Sequence, residues 1–174
     1  MATTIDQFKS ALGGGGARAN LFKVTGSIGG ATEEKLTFMI KAASLPASTI
    51  TAIEVPFRGR KLKIAGDKLF EAWKITAYND TSFSIRKAFE KWMSDIDKHE
   101  SNAGLANPAK YFQDWQVDQL SKEGEAPLAT YKFVGCWPIS LSEIELNFDS
   151  KDAIEEFTIE LAYQYWTGGG QTKA

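Results

Sequence analysis

The sequence predicts a mainly β protein, a β-barrel or two-sheet sandwich with one flanking α-helix. Three observations carry that expectation. Apolar residues alternate with polar ones in several stretches: Thr51, Ile53, Val55 and Phe57 share one face, as do Trp73, Ile75 and Ala77, and later Phe157, Ile159, Leu161, Tyr163 and Tyr165. A period of two is that of a half-buried strand. Only one long segment has a helical period, with Ile85, Ala88, Phe89, Trp92, Met93 and Ile96 forming a single apolar stripe. Many strands accompanied by one helix pack best as a barrel or sandwich.

In order, Ile5, Phe8 and Leu12 share a helical face, but a helix this short is marginal in water and orders only against something else. Gly13 to Gly16 end it and act as a joint. A phosphate-cradling loop would need a preceding strand and a following Gly-Lys-Ser/Thr, which are missing. Residues 1–17 are therefore expected to be a flexible arm, 18–166 the β domain, and 167–174 a loose tail entered through Gly168-Gly169-Gly170. Asn20 to Gly26 reads as a strand, Gly26 to Gly30 as a loop, and Leu36, Phe38 and Ile40 as the alternating face of another strand. Thr49 to Phe57 leads into the basic corner Arg58-Gly59-Arg60-Lys61-Leu62-Lys63, with a turn expected at Ala65-Gly66-Asp67. Asn79-Asp80-Thr81-Ser82 offers N-caps for the helix. Asp97 to Lys110 is a long polar loop, of the kind that is functional or meets a partner. Strands are expected at Trp115 to Leu120 and Leu128 to Val134, joined by a turn at Lys122-Glu123-Gly124-Glu125 and ended by Gly135-Cys136-Trp137-Pro138. Ser142 to Phe148 and Glu156 to Trp166 close the domain as two more strands.

Composition narrows the function classes. At 174 residues, with 43% hydrophobic and 24% charged residues, the chain is the size and make-up of one globular domain. A formal net charge of −2 gives no overall pull toward nucleic acid. The apolar runs are too short to span a bilayer, and the N-terminus lacks a signal-peptide pattern, so the subunit is expected to be made in a cytosol without membrane insertion. Cys136 is the single cysteine, so no internal disulfide forms.

Candidate chemistry is sparse. His99, the one histidine, sits in the polar sequence Asp97-Lys98-His99-Glu100 and reads as a solvated helix end. One Cys and one His cannot close a zinc site. Cys136 beside Trp137 reads as a buried inert thiol. Glu143, Glu145, Asp149, Asp152, Glu155, Glu156 and Glu160 read as solvated faces, and the tryptophans as core or interface residues. No catalytic, cofactor-binding or metal site is expected.

Residues along nearly the whole domain, from Arg18 to Trp166, carry a resemblance. They are Asn20-Leu21-Phe22, Leu45-Pro46-Ala47, Arg60-Lys61 with Ala65-Gly66-Asp67, Phe70, Trp73, Asn79-Asp80, Trp137-Pro138, Asp149-Ser150, Phe157 and Tyr165-Trp166. In order and spacing they resemble the tail tube proteins of contractile-tailed bacteriophages. The resemblance implies a tail-tube-type β-barrel subunit that forms homohexameric rings, with sheets joined around the ring and rings stacked helically into a tube through which the genome passes. It also implies a virion protein assembled in the host cytoplasm, with sheath, baseplate, tape-measure and tail-terminator proteins as partners and double-stranded DNA in transit without specific binding. The Gly-rich arm, the loop around Asn102 to Pro108 and the tail depart from the pattern. Rival readings are the inner-tube protein of a bacterial contractile injection or secretion system, a monomeric ligand-binding β-barrel with an apolar cavity, and, more distantly, an enzyme.

Residue-level expectations follow from that reading. Ile5, Phe8 and Leu12 are expected to dock on a neighbouring subunit, and Arg58, Arg60, Lys61 and Lys63 to meet acidic positions on the next subunit, setting register between stacked rings. If Ile144, Leu146 and Phe148 face the core, strand alternation turns Glu143, Glu145 and Asn147 away from it, and likewise Glu156, Thr158, Glu160 and Gln164. Those seven positions are the expected lumen lining, acidic or neutral on balance, so that DNA slides; the alternative is that these faces look to the outer surface, toward a sheath.

Overall fold

The computed structural model describes residues 4–12, 16–28, 33–101, 104–105, 107–122 and 127–168. The ends of the expected arm and joint at Met1 and Gly13 to Gly15, the Gly29-Gly30 loop, Asn102, the Glu123-Gly124-Glu125 turn, and the tail from Gly169 lie outside the described residues.

The elements in order are α1 (Ile5–Ala11), β1 (Phe22–Gly26), α2 (Glu33–Met39), β2 (Ile40–Ala43), β3 (Thr49–Phe57), β4 (Arg60–Leu69), β5 (Trp73–Tyr78), α3 (Ser84–Ile96), a short 3-10 turn (Pro108–Lys110), β6 (Gln113–Leu120), β7 (Pro127–Leu141), β8 (Glu156–Ala162) and β9 (Tyr165–Gly168). The main sheet runs β1-β6-β7-β8-β5-β2, with β9 also on β7, and β3-β4 form a separate ribbon. All pairings are antiparallel. The first half of β7 pairs with β6 and β9, and its second half with β8. The sheet turns at that strand and packs its two halves face to face.

Alternation explains which side chains meet there. Trp73 and Ile75 of β5, Trp115 and Val117 of β6, Phe133 of β7 and Phe157, Ile159 and Leu161 of β8 are all nearly fully buried. The Trp73 ring stacks on Phe133 at 4.0 Å and meets Trp115 edge-on at 6.0 Å. α3 closes the core with Ile85, Ala88, Phe89 and Trp92, and Phe89 lies 6.0 Å from Trp115. The core between the two halves of the sheet and α3 is thus packed with aromatic side chains.

Several expectations are corrected. Leu36-Phe38-Ile40 is not a strand: α2 ends at Met39, and the short β2 begins at Ile40. Leu36 and Ile40 are buried while Phe38 is 82% exposed, so the spacing that counts is four, not two. Gly135-Cys136-Trp137-Pro138 does not end a strand but lies within β7. Gly135, at φ +66°, supplies the irregularity where the strand changes partners. Pro138 pairs only with Leu161 of β8, beyond the end of β6, so its missing N–H costs no second ladder bond. Glu156 to Trp166 is two strands, β8 and β9, broken at Tyr163-Gln164, and β9 carries the pairing on through Gly168.

Ser142 to Phe148 is not a strand either. Pairing ends when the Ser142 amide donates to the Thr158 carbonyl at 2.8 Å, and the chain then leaves the sheet. Ile144 packs at the core margin, but Leu146 is 79% exposed and Phe148 fully so. The alternation is real, but its apolar face has no partner within the subunit.

The helix start is built by Asp80. Phe83 occupies the N-cap position with φ 54°, and Asp80 reaches over it to accept from the Ser84 amide at 3.0 Å. The Lys35 ammonium of α2 donates to the same carboxylate at 2.7 Å, and Ser82 donates to it as well. Those bonds, with Lys35 the foremost, hold the Asp80 carboxyl well below the usual carboxylate range. Asp80→Asn should lower stability at neutral pH by about 1–2 kcal/mol, a loss read as a lower Tm. A carboxyl whose pKa is depressed by folding stabilises above its unfolded value and loses that effect as pH falls. The gap between wild type and Asp80→Asn should therefore close on acidification below about pH 4; a gap that stays constant to about pH 2 would contradict this assignment.

Candidate assembly interface

β3 and β4 are joined by a two-residue turn at Arg58-Gly59, with φ 44° and 82°, closed by the Phe57–Arg60 pair. Two successive positive φ values suit the right-handed twist of a hairpin. Gly59 adopts this at no steric cost, whereas Arg58 is held there against its preference. The turn expected at Ala65-Gly66-Asp67 is instead part of β4, opposite an irregularity at Thr51, whose hydroxyl donates to the Asp67 carbonyl at 3.2 Å.

The ribbon was expected to be half buried, but all of β3 is exposed, and so is β4 except at Gly66. Register explains what it presents. Ile53 opposes Ile64 and Val55 opposes Leu62, which with Phe57 puts five large apolar side chains on one face. They are 42–68% exposed. The other face carries Glu54, Lys61 and Lys63, where Lys61 pairs with Glu54 at 2.6 Å and Lys63 approaches it at 3.8 Å. Arg58 and Arg60 make no ion pair among the described residues, leaving the tip positive. From Thr49 to Leu69 five basic residues face two acids, in a chain of net charge −2.

The root of the ribbon is pinned to the domain. The Trp73 indole N–H donates to the Ser44 carbonyl at 2.6 Å, and the Lys68 ammonium lies 5.4 Å from the Phe70 ring and 5.5 Å from that of Trp166. A rigid root thus supports a ribbon with an uncovered apolar side.

Two further surfaces are exposed. α1 is helical in the subunit itself, and Ile5, Phe8 and Leu12 are 73%, 62% and 43% exposed. The segment 142–156 borders a groove of about 610 Å³ lined by Ile144, Leu146, Phe148 and Ile154 together with Glu145 and Glu156.

The outward face of β5 and β8 carries Lys74–Glu160 and Thr76–Thr158, and Lys41 of β2 reaches Glu156. Glu156, Thr158 and Glu160 point away from the core as alternation requires, and Gln164 is exposed at the strand break. Both glutamates are compensated by lysines, so this strip is nearly neutral rather than acidic. Bonding to Glu156 and to Glu160 raises the pKa of Lys41 and Lys74 respectively. Glu143, Glu145 and Asn147 lie on the loop that leaves the sheet, so strand alternation does not orient them.

The remaining chemical candidates are unremarkable in geometry. His99 is exposed in a turn just after α3. Cys136 is fully buried, and burial, with the nearby Asp114 charge, pushes its thiol up to about 12. Among the described residues no three His, Cys, Asp or Glu side chains group to hold a metal ion, and no helix is long and apolar enough to cross a membrane.

A sequence model described as phage tail tube protein matches residues 7–168. The tail tube protein gp19 of Enterobacteria phage T4 is 33% identical over 150 residues, covering 86% of this chain and 90% of its own length. The tail tube protein of Serratia phage KSP90 is 30% identical over 167 residues, with 92% and 94% covered. Two solved structures share the fold. A chain of the anti-feeding prophage baseplate has a TM-score of 0.66 at 14% identity, covering 88% of this chain and 95% of that one. A chain of the PVC sheath-tube complex, from an extracellular contractile injection system, has a TM-score of 0.59 at 16% identity, covering 97% and 99%. The family match spans nearly the whole chain, and the chain belongs to the phage tail tube protein family, as a structural component of the virion's contractile tail.

Proposed function

We propose that the subunit closes into hexameric rings that stack helically into the inner tail tube, the conduit for genome delivery, and that it acts structurally, with no catalytic role. The observation that carries this is the β3–β4 ribbon. A two-stranded ribbon with one apolar face in water is marginal alone, and covering that face in a neighbour contributes on the order of 1–2 kcal/mol per large side chain. The main sheet supports the same reading, because its outermost strands β1 and β2 each pair on one side only. Open edges are a hazard in a monomer, and joining subunits removes it. Sheath, baseplate and terminator proteins are the partners this reading implies, in line with the assemblies that hold the fold's relatives. A bacterial injection-system tube shares the fold, but the phage proteins are the nearer in sequence, at 33% and 30% identity against 14% and 16%.

Ile5, Phe8 and Leu12 dock on a neighbour in this scheme, and the basic tip contacts the next ring. Purified protein imaged by electron microscopy should show rings or tubes; dispersed small particles at high concentration would refute the reading. Removing residues 1–12 should weaken tube growth while the fold survives. Arg58→Asn is the sharper variant, because Asn tolerates the left-handed turn and lacks the charge. It should leave Tm unchanged or slightly higher and make tube growth weaker and less sensitive to salt. Unchanged growth in both variants would remove these two contacts from the scheme.

In the same reading the lumen is lined by Thr158, Glu160 and Gln164 with Lys74 beside them, while Glu143, Glu145, Asn147 and Glu156 belong to the 142–156 surface. A nearly neutral strip repeated around the ring neither holds nor repels a polyanion strongly. Glu160→Lys leaves Lys74 unpaired and adds two positive charges per subunit relative to the native pair. Tubes should still assemble, and DNA release should slow most at low salt, where screening is least. Release at the parental rate at low salt would place this face elsewhere.

A further inference from the structure

We propose that the groove bordered by residues 142–156 is the seat for the β3–β4 hairpin tip of a second copy of this chain. The inference rests on the tube reading above and names the surface that receives the tip. Two uncovered surfaces of one molecule match in polarity and oppose each other in charge. The groove has an apolar lining in which Leu146, Phe148 and Ile154 are 79%, 103% and 68% exposed. Six acids, Glu143, Glu145, Asp149, Asp152, Glu155 and Glu156, stand in its bordering segment against Lys151 and the Lys41 that pairs with Glu156. The hairpin tip has an apolar side, with Phe57 68% and Leu62 60% exposed, and carries Arg58 and Arg60 without ion pairs among the described residues.

Neither surface is covered within its own subunit. No apolar side chain of the ribbon belongs to the hydrophobic core or packs against it, and Leu146, Phe148 and Ile154 do not either. Glu143 and Glu145 make no ion pair among the described residues, so their charge is available to a partner. The groove is open and holds about 610 Å³, and a two-residue hairpin end is the narrowest part of the ribbon to enter it. Like surfaces would repel in each case: tip against tip brings arginines together, and groove against groove brings carboxylates together. The contact is therefore heterologous, the kind that propagates from subunit to subunit rather than stopping at a dimer. Phe57 supplies the buried anchor, and the Arg58 and Arg60 charges on the acidic rim set register.

The segment also explains its own shape on this view. Glu155 anchors its return to the domain, receiving the Asn79 side-chain amide at 2.7 Å while its carbonyl accepts the Asn79 backbone N–H at 2.8 Å. The Asn147 side chain caps the turn by accepting from the Asp149 amide at 3.0 Å. These bonds hold Leu146 and Phe148 outward although no partner covers them in the subunit.

Two full-length variants, Phe57→Cys and Phe148→Cys, test the pairing. Cys136, buried and with its thiol pushed up to about 12, stays silent in mild oxidation. Mixed during assembly and then oxidised, the two variants should give a disulfide-linked dimer containing one of each, and neither alone should give more than background. Charge reversal supplies the second arm: Arg60→Glu and Glu145→Lys should each raise the concentration needed for tube growth at low salt by about tenfold, and mixing them in one chain should restore most of the loss. Wild-type tubes with no mixed disulfide and no rescue would show that the tip docks elsewhere, overturning this inference while leaving the tube reading intact. A wild-type chain that forms neither rings nor tubes would overturn both.

Discussion

The apolar face of the β3–β4 ribbon is the constraint from which the rest of the structure takes its meaning. Ile53, Val55, Phe57, Leu62 and Ile64 stand on one side of the ribbon, and none of them belongs to the hydrophobic core or packs against it. Water penalises such a face, and two strands without a third layer are barely stable. The chain nevertheless places it on a pinned root rather than folding it back. In the proposed tube, neighbouring subunits complete the missing layer.

The remainder of the fold supplies the stiffness this arrangement requires. The aromatic cluster of Trp73, Trp115, Phe133 and Phe89 joins both halves of the bent sheet and α3 into one core. Trp73 is also the residue that fixes the ribbon's root, through its bond to the Ser44 carbonyl. Arg86 ties α3 to the far end of β7, donating to the Ser142 carbonyl at 3.0 Å and lying over the Phe157 ring at 5.5 Å. The 142–156 segment thus leaves from a fixed point and returns to another at Asn79. Rigid docking surfaces lose less ordering entropy on assembly than mobile ones.

Much of the domain was legible because burial writes periodicity into sequence. The stripes of α3, β5 and β8 face the core as their spacing predicted, and the exposed apolar face of α1 is as read. The family resemblance, spread over the whole domain, identified the tube protein where no single motif could. What misled was periodicity that has no partner within the subunit. Thr49 to Phe57 alternates like a half-buried strand, yet every residue of it is exposed in the subunit. Ile144-Leu146-Phe148 alternates too, yet the segment is a loop in the subunit, with Leu146 and Phe148 exposed. Leu36 and Ile40 fit both a strand and a helix spacing over so short a run, and the buried pair decided for the helix. The pairing of Glu156 and Glu160 with Lys41 and Lys74 was not readable at all, since those lysines come from other strands.

Hydrogen exchange of the β3 and β4 amides in free subunits and in assembled tubes measures the central claim directly. In the free subunit those amides should exchange fast, close to the rate of exposed loops, while β5, β7 and β8 stay protected. In the tube the ribbon should become protected by about a hundredfold or more, corresponding to the covering of its apolar face. A ribbon equally protected in the free subunit, or equally unprotected in the tube, would contradict the account.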